Sequence, residues 1–567
     1  MPQPMKKELD NSSPKIKSQG LRFAPPDILP RAKKQFIDAL IATRSYFSGP
    51  ANYARCFQYE TFEVRMTLKE ELKTPHFFFL KVSYPDGHAE DVLFKKEGLH
   101  LTARIDTAHC GRVNFILKVI DDSGKVFLDQ NDQSYLLVDP ASMKNLRMYT
   151  LIPAQSGHIG DWINWLDHIK ALGFNAVHLL PITMMGKSNS PYAAKSLTQI
   201  DPRFAIPGDE RSLFEQFETF ITRARALGIL VCLDFVLNHV AIDSEFFEKR
   251  SHWLIPDVST DRKYRHAGCW HEGKWMEWED LFLINYQTED LAIREELWKY
   301  MTEVALFWTQ FADMVRFDNL HSSYQPFITH ALTEMRKIKP DLIIFAEYFD
   351  NHFELEKVII ELGLNLVLAT PWGVKFLPEL SDYLRYLNAY HPQISFFNMP
   401  VSHDSGSALQ EFAHPEYAKL RYFVTLFAAS PYSGMVQGYE YVLEQKLEFI
   451  DVKTPVEFKK SPRNISDFIK HCHGLADSHP VLSAKALKIA NTDSVLAVLK
   501  SDLEHHVLIL LNMNIHQNAV IPFELPEKFT NAKEIFGTTA NNKIGRKLKG
   551  GLNEISLVPG EMCIYLV

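Results

Sequence analysis

Four apolar runs in this 567-residue chain end in charged or hydrogen-bonding side chains. ILVCLDFV (229–236) carries Asp234 and continues into Asn238-His239. ADMVRFD (312–318) ends on Arg316 and Asp318, LIIFAE on Glu347, and NMPVSHD on His403-Asp404. A carboxylate at the end of an apolar run is costly unless it is paired or used. Any one of them could be a salt-bridged structural group, but Asp318 and Glu347 together suggest a reaction. They are 29 residues apart, about one strand-plus-helix unit, which places them on adjacent strands. Adjacent strand ends bring two carboxyl groups to roughly 5–5.5 Å, the separation at which one attacks a glycosidic carbon while the other protonates the leaving oxygen. Arg316 lies two residues before Asp318, on the same face of the strand. A cation there is expected to hold Asp318 ionised. Glu347 has an apolar approach (Ile343–Ala346), and burial is expected to raise its pKa, as a general acid requires.

These residues need a scaffold that aligns strand ends. From about 147 to 478, strand-like runs alternate with helical periodicity: MYTLIP, NAVHLLP, ILVCLDFV, ADMVRFD, LIIFAEY, LNLVLATP, ISFFNMPVSHD and the FVTLFAASPYSGMV region. Eight strands in strand-then-helix order predict an α/β fold, a (β/α)8 TIM barrel whose reactive face is the carboxyl end of its strands. The helix over 291–311 shows the period well, with Leu291, Leu297, Met301, Val304 and Trp308 on one face and Glu289 and Asp290 at its N-terminal end. Residues 51–140 hold short alternating runs (FEVRMTL, HFFFLKVSY, NFILKVI, SYLLVD) between PDG, DDSG and NDQ turns, which predicts a β-sandwich. Runs such as SVLAVLK and HVLILLNM predict a second antiparallel β-sandwich over 480–567. Residues 1–50 read as a polar tail followed by an amphipathic helix over 31–47. An insertion at 240–285 contains CWHEGKWMEW, whose Trp270, Trp275 and Trp278 form either a sugar-stacking wall or a small core.

Composition narrows the partners. The formal net charge is -8, from 61 basic and 69 acidic side chains, with no basic run, so nucleic acid has no electrostatic support. Six scattered cysteines (Cys56, Cys110, Cys232, Cys269, Cys472, Cys563) form no C-x-x-C pair and read as buried thiols in a reducing compartment. No secretory leader or bilayer-spanning run is visible, so the expectation is a cytoplasmic protein with no membrane partner. The paired histidines His471/His473 and His505/His506 read as solvated surface.

The ordered motifs LDFVLNH, VRFD, AE and HD resemble the four motifs of the α-amylase clan, glycoside hydrolase family 13, and Asn189-Ser190-Pro191-Tyr192 resembles that family's S-P-Y segment. The resemblance covers about 147–567. It implies an α-glucan or malto-oligosaccharide substrate, with Asp318 as nucleophile, Arg316 as its partner, Glu347 as acid/base and Asp404 as third carboxylate beside His403. It also implies that His239 and Tyr192 contact the same sugar and that Asp234 organises the network beneath. Met314 replaces the glycine usual before V-R-F-D, and Met399 the aromatic residue that often precedes H-D. V-R-F-D-N-L-H-S with K-P-D-L-I-I-F-A-E-Y-F is similar to the transferase barrel of glycogen debranching enzymes. E-D-L-F-L-I-N-Y-Q-T-E-D with D-Y-L-R-Y-L-N resembles maltosyltransferases that use maltose 1-phosphate, although their basic segment is not recognisable here. Hydrolysis and transfer stay open, as does an inactive glucan-binding barrel, which the intact carboxylate triad disfavours. Asn238 matches a calcium ligand of calcium-dependent amylases, but calcium takes six to eight oxygens and no such set is identifiable. The expectation is therefore no metal or cofactor, with calcium as the alternative. Oligomeric state is not legible.

Overall fold

The computed structural model describes residues 40–45, 53–129, 134–259, 262–271, 274–457, 461–538 and 547–567. Its centre is a closed barrel of eight parallel strands: β1 (Arg147–Leu151), β2 (Ala176–Leu179), β3 (Leu230–Phe235), β4 (Met314–Phe317), β5 (Ile343–Ala346), β6 (Leu366–Leu368), β7 (Phe396–Asn398) and β8 (Tyr432–Val436), which returns to β1. Most are buried along their whole length, as strands covered by helices on one side and a filled interior on the other must be. Helices follow in the expected order: α1 (Ile159–Leu172), α2 (Leu213–Ala226), α3 (Leu291–Thr309), α4 (Gln325–Ile338), α5 (His352–Leu362), α6 (Leu377–Tyr390), α7 (Glu416–Phe423) and, beyond β8, α8 (Ser466–Ser478).

The register positions the chemistry. Asp234 on β3 faces Arg316 on β4, and Phe317 faces Ala346 on β5. Asp318 and Glu347 therefore each stand one residue past a strand end. Their backbones remain tied to the ladder: Asp318 N–H donates to the Phe235 carbonyl (3.1 Å) and Glu347 N–H to that of Phe317 (3.1 Å). Both carboxyl groups are thus carried on main chain that the barrel's hydrogen-bond ladder holds.

Helix α3 buries Leu297, Met301, Val304 and Trp308, and the Asp290 side chain caps it by accepting from Ala292 and Ile293 N–H (3.0 and 3.1 Å). Leu291 departs from the expected face and is 60% exposed. The FVTLFAASPYSGMV region is also corrected. Val424–Ala428 continues α7 as a π-helical turn, and only Tyr432–Val436 is strand. An apolar run buried on every side carries no period from which helix and strand can be told apart.

The described residues divide into two compact units, one of those up to 138 with 268–278 and the other of those in 139–267 and from 279 onwards. The first contains a four-stranded sheet and a six-stranded sheet around one apolar cluster that includes Val64, Leu80, Phe115 and Leu136. The expected helix over 31–47 is corrected where it is described: Ile41–Ser45 is a strand paired antiparallel with Phe62–Leu68, and the rest of that span lies outside the described residues. In the second unit, beyond the barrel, a five-stranded and a two-stranded sheet enclose Leu508, Leu510, Phe523 and Tyr565.

The insertion builds a three-stranded antiparallel sheet from His239–Ala241, Lys274–Leu283 and His266–His271. Its buried tryptophan is Trp253, packed on Phe246 (5.1 Å) and Tyr300 (5.2 Å) beneath Arg250. Trp275 is 45% exposed and Trp278 half-buried, while the Trp270 side chain lies outside the described residues. Among the described residues, no helix is long and apolar enough to cross a membrane.

Candidate active site

Arg316 is the hub. Its side chain is buried, and the guanidinium touches three carboxylates from three consecutive strands. Nη1 donates to both oxygens of Asp234 (2.8 and 2.7 Å) and to Asp318 Oδ1 (3.2 Å), and Nη2 donates to Glu347 Oε2 (2.8 Å). A planar fork with five donors can satisfy three acids at once, as an ammonium could not. Asp234 is fully buried and also accepts from His178 Nε2 (3.2 Å) and Tyr192 Oη (3.0 Å). Burial alone would raise its pKa. The Arg316 charge and the His178 bond outweigh that and hold the carboxyl well below the usual range.

Asp318 is treated differently from the expectation that Arg316 keeps it ionised. Arg316 gives its short bonds to Asp234 and Glu347, and Asp318 receives the longest. Burial first, and then the negative charge of Glu347, push the Asp318 carboxyl well above the usual carboxylate range against the pull of Arg316. Glu347 in turn is not simply an acid in an apolar slot. Besides Arg316 it accepts from the backbone N–H of Asn319 (3.0 Å), whose left-handed conformation (φ 47°) turns that donor towards it.

Tyr192 comes from the loop inside a short hairpin (Thr183–Met185 with Ala194–Ile200) after β2. Gly186 lets that hairpin approach closely, since a Cβ there would lie 2.5 Å from the Ala241 Cβ. The Tyr192 ring stacks on His403 (5.9 Å, 8°), and both pack edge-on against Phe449. Asn189 Nδ2 donates to Asp451 Oδ1 (2.9 Å), joining the Tyr192 loop to the segment that carries Phe449. Because Tyr192 Oη donates to Asp234, it accepts from His403 Nε2 (2.8 Å), which also lies 3.1 Å from Asp404 Oδ2. This hydrogen-bond order requires the Nε2–H tautomer of His403. His239 follows β3, with Nε2 3.1 Å from the Tyr192 carbonyl, so it lies behind Tyr192.

His403-Asp404 departs from the expected strand end. Strand β7 stops at Asn398, and the pair sits on a tight loop in which Ser402 Oγ accepts from Asp404 and Ser405 N–H (both 3.2 Å). Glu411 accepts from Gly406 N–H (2.8 Å) and pairs with Lys375, anchoring the loop from outside. Asp404 is 57% exposed, against 13% for Asp318 and 17% for Glu347. Sequence reasoning missed His178, whose Nδ1 faces Thr150 Oγ1 (3.2 Å). A histidine inside the otherwise apolar NAVHLL run was the available signal. Asn238 Oδ1 is buried without a hydrogen-bond partner, while its Nδ2 reaches Ser322 Oγ only at 3.5 Å. One oxygen is far short of a calcium shell, and among the described residues no three acidic, histidine or cysteine side chains are grouped to hold a metal.

Burial lowers three histidines at the site: His178 below its ordinary value, His239 to about 4 and His403 to about 3. The unfolded chain therefore binds more protons than the folded one below about pH 6.5. Their contribution to stability is complete above that pH and is lost as pH falls towards 3–4. Asp318 and Asp404, both raised by burial, have the opposite sign, with their contribution lost as pH rises, but they are two groups against three. Thermal scanning from pH 7.5 to 4.5 is expected to show a falling Tm, with a shallower slope in His403→Asn. An equal slope in that variant would show that burial of His403 does not drive the effect.

Comparisons with known proteins find relatives both in sequence and in fold. The family profile for the glucanotransferase domain of glycogen debranching enzyme matches residues 140–253. An α-1,4-glucan:maltose-1-phosphate maltosyltransferase of Picrophilus torridus is 22% identical over 467 residues, covering 76% of this chain and 71% of the relative. Its counterpart from Cereibacter sphaeroides is 25% identical over 415 residues, and there the chain spans 58% of the relative's length. Among solved structures, an α-amylase of Geobacillus thermoleovorans in complex with acarbose aligns with a TM-score of 0.60 at 16% identity, over 75% of this chain and 98% of that one. A Nostoc punctiforme debranching enzyme aligns with a TM-score of 0.59 at 16% identity, over 75% and 99%. The chain carries the fold of the α-amylase clan, glycoside hydrolase family 13, and is homologous to maltosyltransferases and debranching-enzyme barrels.

Proposed function

For a homologue of these glycoside hydrolases and transglycosidases, we propose α-glucan transfer by double displacement, with Asp318, Glu347 and Asp404 as the working carboxylates. The observation that carries the reading is the single buried guanidinium of Arg316 shared by Asp234, Asp318 and Glu347 at adjacent strand ends. In the first step an Asp318 oxygen bonds to the anomeric carbon, the glycosidic C–O bond breaks, and Glu347 gives its proton to the leaving oxygen. In the second, an acceptor hydroxyl attacks that carbon, Glu347 takes the hydroxyl proton, and the Asp318 ester is released. The pair then needs one proton in total. Asp404 and His403 grip sugar hydroxyls, Tyr192 offers its ring face, and His239 fixes Tyr192.

Transfer is favoured over hydrolysis by the match to a glucanotransferase domain and by the maltosyltransferase relatives. A neutral glucan donor is favoured over a sugar phosphate because Arg316 has both ends of its fork engaged by carboxylates. A phosphate dianion entering there would meet three acids and gain no donor from it. The test is incubation with maltoheptaose, with and without inorganic phosphate, followed by product chromatography. Longer and shorter chains in equal amounts are expected. Shorter chains alone would overturn transfer, and a phosphorylated maltosyl product would overturn the neutral donor.

Glu347→Gln tests the roles. Turnover of natural glucans is expected to fall by about 10²–10⁴, the usual worth of a general acid. A glycosyl fluoride, whose leaving group needs no proton, should still load Asp318. Removing the Glu347 charge also removes one cause of the raised Asp318 pKa, so the acid limb for loading should move to lower pH. Mass spectrometry locates the adduct. An adduct on Asp404, or a limb moved to higher pH, would overturn the assignment.

A further inference from the structure

We propose that Gln155 is a positioning residue for the glucan site: its buried side-chain amide clasps both ends of the strap 448–456 and so sets the Phe449 ring against the Tyr192–His403 stack. Gln155 lies on a short helical turn, Pro153–Ser156, at the carboxyl end of β1. That turn is braced by Gln437, the residue after β8, which accepts from Ile152 N–H (2.9 Å) and donates to Ser156 Oγ (2.9 Å). From there Gln155 Nε2 donates to the Glu448 carbonyl (2.6 Å), and Oε1 accepts from Val456 N–H (3.0 Å). A primary amide suits this task, since it gives and takes a hydrogen bond side by side where a carboxylate only accepts.

The strap needs such a clasp. It has no helix or strand of its own, and within it Phe449 is buried while the other residues are exposed or half-exposed. Its middle is pinned once more: Asp451 N–H donates to the Asn189 carbonyl (3.2 Å), and Asn189 Nδ2 donates back to Asp451 Oδ1. Asp451 and Asn189 are both left-handed (φ 50° and 56°), a conformation that aspartate and asparagine reach more readily than most residues. Held at its ends and middle, the strap delivers Phe449 edge-on to Tyr192 (5.8 Å, 74°) and His403 (5.6 Å, 67°). Gln155 is 6% exposed, and a buried amide stripped of its partners is costly, so lifting the strap carries a penalty on the barrel side. The inference rests on the glucan reading above and deepens it: the grip of Tyr192 and His403 on a sugar depends on a residue one layer behind them.

The test is Gln155→Met, which matches the length of the side chain and leaves no buried polar atom unpaired. Hydrogen exchange at the Val456 amide should quicken, because its acceptor is gone. The Kd for maltoheptaose, measured by calorimetry with Asp318→Asn in both proteins, is expected to rise about tenfold, the worth of two hydrogen bonds. In the active protein, kcat at saturation should change by less than about twofold, because Asp318 and Glu347 stand on the barrel ladder and not on the strap. A double-mutant cycle identifies the route: added to Phe449→Ala, Gln155→Met should weaken binding no further. Additive losses, an unchanged Kd, or unchanged exchange at Val456 would each overturn the positioning role. Asp451→Gly keeps the left-handed backbone but frees the middle of the strap from the solvent side, so it reads the same route even if Gln155→Met folds poorly. Unchanged binding in that variant overturns the proposal as well. If the protein with Gln155 in place binds no maltoheptaose, the glucan reading falls, while exchange at Val456 still decides whether Gln155 holds the strap.

Discussion

Asp318→Asn is expected to lower kcat by about 10⁴, the scale seen when one member of a covalent catalytic set is removed. The amide has nearly the shape of the carboxyl, so Arg316 loses only its longest contact (3.2 Å), and Asp318 N–H keeps its bond to the Phe235 carbonyl. Stability should therefore hold or rise. The raised pKa of Asp318 means that the fold works against ionising this side chain, and asparagine cannot ionise. Few substitutions at a buried carboxyl carry opposite signs for activity and stability, which makes the pair of measurements discriminating. Initial rates on maltoheptaose and a urea titration decide it. Residual turnover above a few per cent would sink the nucleophile assignment, and a large drop in stability would mean that Asp318 serves the fold.

Arg316→Met should do the reverse, costing the fold before it costs the chemistry. The Arg316 side chain is 2% exposed and is the one cation in contact with Asp234, Asp318 and Glu347 among the described residues. Removing one partner from a buried ion set leaves the others uncompensated, at about 3–5 kcal/mol. The loss should be largest near neutral pH and shrink in acid, because protonating the stranded carboxylates relieves it. Arg316→Lys keeps the charge but presents a compact ammonium that cannot span three acids, so most of the loss should remain. Urea unfolding at pH 7 and pH 5 reads this directly. A cost under about 1 kcal/mol at both would mean that the cluster is not ionised as drawn.

Much of this site was legible because it violates a pattern. Asp234, Arg316, Asp318 and Glu347 each interrupt or end an apolar run, and a barrel turns such interruptions into one surface. What sequence could not supply was the division of a single cation among several acids. Spacing put Arg316 beside Asp318, but parallel register put it opposite Asp234, and cross-strand neighbours outbid the neighbour two residues away. The same blindness hid His178, whose partners Thr150 and Asp234 lie on other strands. The fold's errors were local. Ile41–Ser45 joined a sheet because its partner Phe62–Leu68 offered an edge that helical propensity could not foresee. Val424–Ala428 stayed helical because uniform burial erases period.

The three carboxylates are not mounted alike. Asp318 and Glu347 are extensions of the barrel's own hydrogen-bond ladder, whereas Asp404 rides on a serine-braced loop six residues past the end of β7. In the proposed reaction, the bond-breaking step and the fit of the sugar would thus sit on separate supports. Substitution at Ser402, Ser405 or Glu411 is then expected to retune which glucan is held without disturbing the distance between the proposed nucleophile and acid. One barrel can in this way serve many linkages and chain lengths while its reaction stays the same.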